Sequence, residues 1–135
     1  MSLKDRLKLV EGLSLHAYVD PISNKLHIGY GRNLDAVGIS DDEAERMLDN
    51  DILRARATAR LVVGSYALDA LSPIAQDALF ELAFILGHSG LRRFSKMIAA
   101  IRRGNMMLAK AELLDSKMHD QIPQRTKEIA DALLR

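Results

Sequence analysis

Apolar positions in the first eleven residues recur at helical spacing. Ser2 and Asp5 stand three residues apart, as at a helix N-terminus where a hydroxyl caps the backbone and a carboxylate faces the positive end of the dipole. The apolar residues that follow are three or four positions apart: Leu3, Leu7 and Val10. Gly12 is a typical residue after a helix end. The pattern predicts a short helix over about 3–11 that ends on Glu11.

Between residues 13 and 30 the pattern changes to alternation. Apolar residues there alternate with polar ones, as in a half-buried strand: Leu15, Ala17 and Val19. His16 belongs to the polar set and is expected to face solvent. Residues 21–24 have turn chemistry, and 26–28 resume an extended segment. Residues 29–31, Gly-Tyr-Gly, must bend sharply or admit a close approach to the backbone. The segment predicts a hairpin too small to be stable alone.

The remaining pattern is helical. Ser40 and Glu43 form a capping box that opens a helix reaching about residue 62. At about 1.5 Å per residue, roughly 22 residues make a rod of about 33 Å, long enough to join two lobes. A loop is expected over 87–90. Further helices are predicted from Pro73 to about Leu86, over 93–103, over 105–115, and from Pro123 to Leu134.

These elements predict an α+β fold that is mostly helical. We expect one domain over 1–135, with a helix-plus-hairpin N-terminal lobe over about 1–40, a connecting helix over about 41–62 and a helical C-terminal lobe over about 63–135. The 135 residues include no cysteine, which excludes a disulfide framework, thiolate zinc sites and a cysteine nucleophile. Tryptophan is absent and aromatics are 4%, so stacking surfaces for sugars or bases are scarce.

Charge is distributed unevenly although the formal net charge is only +1. No acid occurs between Glu81 and Glu112, and this stretch contains several Lys and Arg residues: Arg92, Arg93, Lys96, Arg102, Arg103 and Lys110. Such a block is usually a solvated helix face. The functional alternative is attraction to an anionic polymer, either nucleic acid or cell wall, and composition alone does not choose between them.

Three polar residues in the N-terminal lobe suggest chemistry. Glu11 lies at a helix end, Asp20 at a strand end and His27 on the next strand. Glycoside hydrolysis uses two carboxylates held on separate rigid elements, one as an acid for the leaving oxygen and one on the opposite side. The alternative is that Glu11 is a helix-end surface residue and Asp20 a turn residue before Pro21.

The residues around this cluster resemble a known family. The run from Glu11 to Asp20, E-G-L-x-L-x-A-Y-x-D, followed by I-G-Y-G at 28–31, is similar to the catalytic segment of the T-even phage lysozymes, glycoside hydrolase family 24. The D-D-E-A-E run at 41–45 resembles the opening of that family's inter-lobe helix. Ser116 to Arg125, S-x-x-x-x-Q-x-P-x-R, resembles its second signature. The resemblance covers nearly the whole chain in order.

The resemblance implies a muramidase that cleaves the β-1,4 bond between N-acetylmuramic acid and N-acetylglucosamine in peptidoglycan. It implies Glu11 as the general acid, Asp20 assisting on the opposite side, and an arginine, Arg125, that reaches the catalytic glutamate. Two further residues of the matched motifs are implied to support the site, Tyr18 and Gln121. The positions implied to contact substrate are Asn33, Phe84, Met97 and Glu112, of which Met97 and Glu112 replace the family's more usual Ser and Asn.

His27 is the most informative departure, because the family usually has threonine there. Imidazole titrates near pH 6.5 and can accept a proton or attack an anomeric carbon. Attack by His27 predicts retention and transglycosylation, whereas activation of water predicts inversion. A third possibility is that His27 only hydrogen-bonds Asp20.

Two other residues depart from the family pattern. Arg32 replaces a histidine and is expected to pair with a carboxylate on the connecting helix. Met118 replaces the signature tryptophan and is expected to fill core volume.

Two other functional classes stay open at this point. A nucleic-acid-binding helical module would use the basic block but would leave Glu11, Asp20 and His27 without a purpose. A catalytically weak relative would only bind the wall. The partner expected from the resemblance is the glycan strand of peptidoglycan, with no cofactor, no nucleic acid, no membrane insertion and a monomeric state. Because no signal peptide is visible, we expect synthesis in the host cytoplasm and action in the periplasm or wall after release.

Overall fold

A computed structural model describes residues 1–135 and contains nine α-helices and one three-stranded antiparallel sheet. It confirms the mostly helical α+β class. The chain divides into two compact units, an N-terminal unit of residues 1–46 and a C-terminal unit of residues 47–135. In chain order the elements are α1 Leu3–Glu11, β1 Ser14–Val19, β2 Leu26–Gly29, β3 Arg32–Asn33, α2 Leu34–Val37, α3 Asp41–Val63, α4 Ser65–Asp69, α5 Pro73–Arg92, α6 Ser95–Arg102, α7 Met106–Leu114, α8 Lys117–Gln121 and α9 Pro123–Ala132.

Helix α1 begins and ends where the sequence predicts. The Asp5 backbone N–H donates to Ser2 Oγ at 3.1 Å, and the Ser2 backbone N–H donates to the Asp5 carboxylate at 3.3 Å. This reciprocal capping box satisfies two backbone donors that have no partner inside the helix. At the other end Gly12 has a φ of 72°, and its N–H still donates to the Lys8 carbonyl at 3.1 Å. The helix therefore stops directly after Glu11.

The sheet has the order β1-β2-β3. Tyr18 lies opposite His27 across β1 and β2, and His27 lies opposite Asn33 across β2 and β3. Both predicted strands are present, but the expected half-burial of β1 is wrong. Leu15 is 77% exposed and Val19 is 58% exposed. Strand β3 and helix α2, of two and four residues, are too short to produce a periodic pattern that the sequence would reveal.

Arg32 joins the end of the sheet to the first turn of α3. Its Nη1 donates to Glu43 Oε1 at 2.5 Å and to the Gly38 carbonyl at 3.3 Å. Glu43 Oε1 also accepts the Ser40 backbone N–H at 2.9 Å, which completes the predicted capping box. The expected ion pair is confirmed, and its partner is Glu43. The Arg32 guanidinium, followed by the Ser40 N–H, lowers the pKa of Glu43 to about 2, while Glu43 raises the pKa of Arg32.

The C-terminal unit is built around a hydrophobic core from α3 to α9 and the residues that follow. Its fully buried large side chains are Leu68, Leu79, Leu82, Leu91, Met97, Leu113, Leu133, Val63 and Thr126. Thr126 is the polar member, and its hydroxyl lies 2.7 Å from the Ile122 carbonyl oxygen. Met118 is 6% exposed within this core, which confirms that methionine fills volume there. None of the helices combines the length and apolarity needed to cross a membrane.

The expected loop over 87–90 is reduced to a break at Gly87. With a φ of 67° and a ψ of −175°, Gly87 divides α5 into two helical segments, and residues 88–92 are helical again. The predicted helices over 93–103 and 105–115 are present as the shorter α6 and α7, and α9 ends two residues earlier than expected. The five-residue helices α4 and α8 were not expected, since each spans little more than one turn.

Arg102 caps the C-terminal end of α3. Its Nε donates to the Val63 carbonyl and its Nη2 to the Val62 carbonyl, both at 2.9 Å. Carbonyls in the last turn of a helix have no partner inside that helix, so a guanidinium is well suited to both. One member of the basic block therefore has a structural role.

We predict that Glu43→Gln flattens the acid side of the stability profile. The folded-state pKa of Glu43, about 2, lies below its ordinary 4.5. Its contribution is therefore fully present above pH 4.5 and is lost as pH falls towards 2. Urea unfolding between about pH 6 and pH 2 should show a steeper fall for the wild type than for Glu43→Gln. Asp42→Asn, a neighbouring acid that forms no ion pair, is the control. Equal slopes for wild type and Glu43→Gln would contradict the prediction.

We predict that Arg102→Met lowers the free energy of unfolding by about 2 kcal/mol, because two charge-assisted hydrogen bonds to helix-end carbonyls are lost. The control is Arg103→Met, which removes the same charge next to it from an exposed side chain without a hydrogen-bond partner and should change stability by no more than about 0.5 kcal/mol. Chemical denaturation followed by circular dichroism measures both. Equal effects of the two substitutions would show that the cap contributes nothing.

Candidate active site

Glu11 is the last residue of α1, and its carboxyl group lies against the turn between β2 and β3. A Cβ atom placed on Gly31 would be 2.6 Å from Glu11 Oε2. The expectation that something approaches the backbone of residues 29–31 is therefore met, and the approaching group is Glu11. An acid at the C-terminal end of a helix faces the negative end of the dipole. No side chain of the N-terminal unit forms an ion pair with it, so stability does not explain its place.

Asp20 follows β1 and organises the turn to β2. Its Oδ2 accepts the Ser23 backbone N–H at 2.8 Å, and its carbonyl accepts the Asn24 N–H at 2.8 Å. The pKa of Asp20 is below its usual 3.8, first because of the backbone and side-chain hydrogen bonds from Ser23 and then because of the electrostatic effect of nearby His27. Asp20 is therefore an anion at neutral pH.

His27 lies on the middle strand with a defined orientation. Its Nδ1 is 3.0 Å from the Lys25 carbonyl oxygen. Since a carbonyl only accepts, Nδ1 holds the proton, and in the neutral ring Nε2 presents a lone pair. The Tyr18 ring supports the imidazole, with centroids 5.9 Å apart and planes tilted by 34°. No hydrogen bond joins His27 to Asp20, which contradicts the possibility that His27 acts only by such a bond.

Asn33 lies beside His27 and begins α2. Its Oδ1 accepts the Ala36 backbone N–H at 3.0 Å as an N-cap, so its side-chain NH₂ group is the part left for a ligand. Among the residues of the N-terminal unit, the predicted Glu11, Tyr18, Asp20, His27 and Asn33 all lie on α1, the sheet or the turns between them. Nowhere in the chain do three His, Asp or Glu side chains come together as a set of metal ligands.

A groove of about 600 Å³ in the C-terminal unit, here called the Met97 groove, brings together three predicted positions. It is lined by Leu86, Gly90, Arg93, Phe94, Ser95, Lys96, Met97, Glu112, Asp115, Ser116, Lys117, Met118 and Gln121. Met97 itself is fully buried, whereas Glu112 is half-buried and Gln121 is exposed. Of the three predicted positions, Glu112 and Gln121 therefore offer polar groups to a ligand, while Met97 shapes the wall.

The other two predicted positions, Phe84 and Arg125, line a different concavity of about 330 Å³ in the same unit, here called the Phe84 groove. Phe84 is 45% exposed there. Arg125 Nε donates to Glu81 Oε1 at 2.7 Å. Sequence reasoning missed Glu81, because the two residues are 44 positions apart and no local pattern links them.

Sequence reasoning also missed one backbone group and one contact between elements. The Lys25 carbonyl, which sets the tautomer of His27, is a backbone group and has no signature in the sequence. The sequence indicated a close approach at residues 29–31, but it did not indicate that Glu11 is the group that approaches Gly31. The glycine signal was therefore the one available clue to that contact.

Comparison with known proteins places the chain in a family. The sequence model of the phage lysozymes matches residues 8–129, which is most of the chain. The matched range includes the cluster of Glu11, Asp20 and His27 and also the second signature that ends at Arg125. The chain belongs to the phage lysozyme family.

Proposed function

We propose that this phage lysozyme is a muramidase of the T-even type, which cleaves the β-1,4 bond between N-acetylmuramic acid and N-acetylglucosamine. Membership of the family establishes a lysozyme that hydrolyses peptidoglycan in general. The bond and the roles of Glu11, Asp20 and His27 are the proposal. The observation that supports it most is the orientation of His27, whose Nε2 presents a lone pair while Asp20 beside it is an anion.

Glu11 is the general acid in this proposal. It gives its proton to the glycosidic oxygen as the bond to the anomeric carbon breaks, so the leaving sugar departs as an alcohol. Its place at the end of a rigid helix supports the role, because general acid catalysis depends on a fixed distance to the leaving oxygen. Asp20 stabilises the positive charge that develops on the sugar, and its lowered pKa keeps it charged throughout the neutral range.

His27 acts through Nε2 along one of two routes. As a base, Nε2 takes a proton from water, the water oxygen bonds to the anomeric carbon, and the product is inverted. As a nucleophile, Nε2 bonds to the anomeric carbon, and a water deprotonated by Glu11 then displaces it, so the configuration is retained. In both routes the imidazole becomes positively charged, and the anion of Asp20 stabilises it.

The glycan is proposed to contact Asn33 and Phe84, and also the Met97 groove through Glu112 and Gln121. Three cations line that groove as well: Arg93, Lys96 and Lys117. Two acids, Glu112 and Asp115, also line the groove, so its cations outnumber its acids by one. We propose that these cations attract the anionic wall polymer at distances up to about 10 Å at moderate salt. The proposed place of action is therefore the peptidoglycan layer.

A second candidate is a lysozyme fold that binds the wall without cleaving it. Two observations favour it: Met97 is fully buried at a predicted contact position, and Met118 lies in the core where the family has a tryptophan. A folded wild type that sediments with purified peptidoglycan but releases no reducing ends would support this candidate and contradict the muramidase. Salt-dependent retention of DNA on a filter would instead point to the nucleic-acid module.

We predict that Glu11→Gln lowers kcat by about 10²- to 10⁴-fold, the usual contribution of a general acid, because the amide has no proton to give. Loss of turbidity of purified peptidoglycan measures the rate. Glu45→Gln is the matched control, since it removes the same charge from an exposed position on α3. Activity of Glu11→Gln close to that of Glu45→Gln would show that Glu11 is not the acid.

We predict that His27→Thr lowers kcat by about 10²-fold or more, because a hydroxyl is a poor base near neutral pH. Proton NMR of the first product formed by the wild type assigns the route of His27. An inverted anomer excludes His27 as the nucleophile, and a retained anomer with transglycosylation excludes it as the base for water. Full activity of His27→Thr with unchanged stereochemistry would remove His27 from the mechanism.

A further inference from the structure

Two glycines, Gly29 at the end of β2 and Gly31 in the turn to β3, have similar φ values but different surroundings. Gly29 has a φ of 69° and Gly31 a φ of 75°, both in the region that side chains disfavour. Around Gly29, no atom lies within 4 Å of the place that a Cβ would take. At Gly31 that place is occupied by Glu11. The positive φ alone therefore explains why residue 29 is a glycine. At residue 31 the contact with Glu11 is a second reason for the absence of a side chain.

Three atoms of Glu11 surround the missing Cβ of Gly31. Their distances from it are 2.6 Å for Oε2, 3.0 Å for Cδ and 3.3 Å for Cγ. A methyl group at this position cannot be accommodated by a small shift of one oxygen, because the whole end of the glutamate side chain is in contact. Adding it displaces the carboxyl group from the turn.

A second contact holds α1 over the same turn. Lys8 is three residues before Glu11 and therefore lies on the same face of the helix. Its Nζ is 5.5 Å from the centroid of the Tyr30 ring, within the range of a cation–π contact. Two successive residues of the turn, Tyr30 and Gly31, thus contact two side chains of the last helical turn.

We propose that Gly31 is a positioning residue for Glu11, with the contact of Lys8 on Tyr30 setting the rotation of α1. The absence of a side chain at Gly31 leaves the space in which the carboxyl group lies, at the end of the strand that contains His27. The inference rests on the proposed function, in which Glu11 is the general acid. A displaced acid loses its alignment with the leaving oxygen while substrate binding stays intact.

The first test compares Gly31→Ala with Gly29→Ala, which also places a side chain at a positive φ but meets no atom of Glu11. We expect Gly31→Ala to lower kcat by about 100-fold relative to Gly29→Ala with little change in KM, since misplacement of a reacting group by about 1 Å has an effect of this size. Equal losses in the two variants would overturn the proposal, because backbone strain alone would then explain both.

A spectroscopic measurement separates this inference from the proposed function. The carboxyl carbon resonance of Glu11, recorded at fixed pH with labelled glutamate, should move in Gly31→Ala and stay in place in Gly29→Ala. A resonance that moves equally in both would overturn the positioning contact whatever the activity. If the wild type cleaves no peptidoglycan, the muramidase proposal fails, while the resonances still report whether Gly31 places Glu11.

A second pair of variants keeps the inference testable if Gly31→Ala does not fold. Tyr30→Leu removes the ring beneath Lys8, whereas Tyr30→Phe retains it, and neither changes a glycine. We expect kcat of Tyr30→Leu to be a few-fold lower than that of Tyr30→Phe, together with a shifted Glu11 resonance. Identical kcat and resonances in the two variants would contradict a role for the Lys8 contact in placing Glu11.

Discussion

The N-terminal unit has to hold its geometry without a buried core. None of the residues 1–46 is fully buried, whereas the C-terminal unit has a continuous core of aliphatic side chains. Apolar burial stabilises a fold by about 25 cal/mol per Å², but it is non-directional and does not fix the orientation of individual side chains. In the N-terminal unit, directional contacts fix the geometry instead. Arg32 pairs with Glu43, Asp35 Oδ2 accepts the Leu26 N–H at 2.8 Å, and Asp20 accepts the Ser23 N–H.

The elements that the sequence predicted well are those with strong local signals. Helix α1 has a capping box at one end and a glycine at the other, and its bounds were predicted to the residue. The error at 87–90 has a physical cause. Glycine is typical of loops, but Gly90 lies in a helical turn. A Cβ atom there would be 2.9 Å from Leu86 Cβ. Its small size serves close packing, and only Gly87 uses the conformational freedom of glycine.

Linear spacing revealed the residue types of the candidate site but not their partners. Glu11, Asp20 and His27 were identified from one short run of sequence, since the family resemblance and the strand pattern are both local. The contact partners that lie far away in the sequence were not identified. Arg125 pairs with Glu81 from another helix, and Gly31 contacts Glu11 from across the hairpin. These pairings follow from how the elements pack, which periodicity does not encode.

The histidine at position 27 illustrates how the turn over 20–25 prepares the proposed chemistry. An imidazole that accepts a proton needs one nitrogen held as a donor and a negative charge nearby to stabilise the cation that forms. The Lys25 carbonyl meets the first need, and Asp20, kept ionised by the hydrogen bonds of Ser23, meets the second. The Lys25 carbonyl and the Ser23 N–H both belong to the backbone of the turn. In the proposed mechanism, His27 therefore needs no further side chain to prepare it as a base or nucleophile, because the turn already supplies the acceptor for Nδ1 and the hydrogen bonds to Asp20.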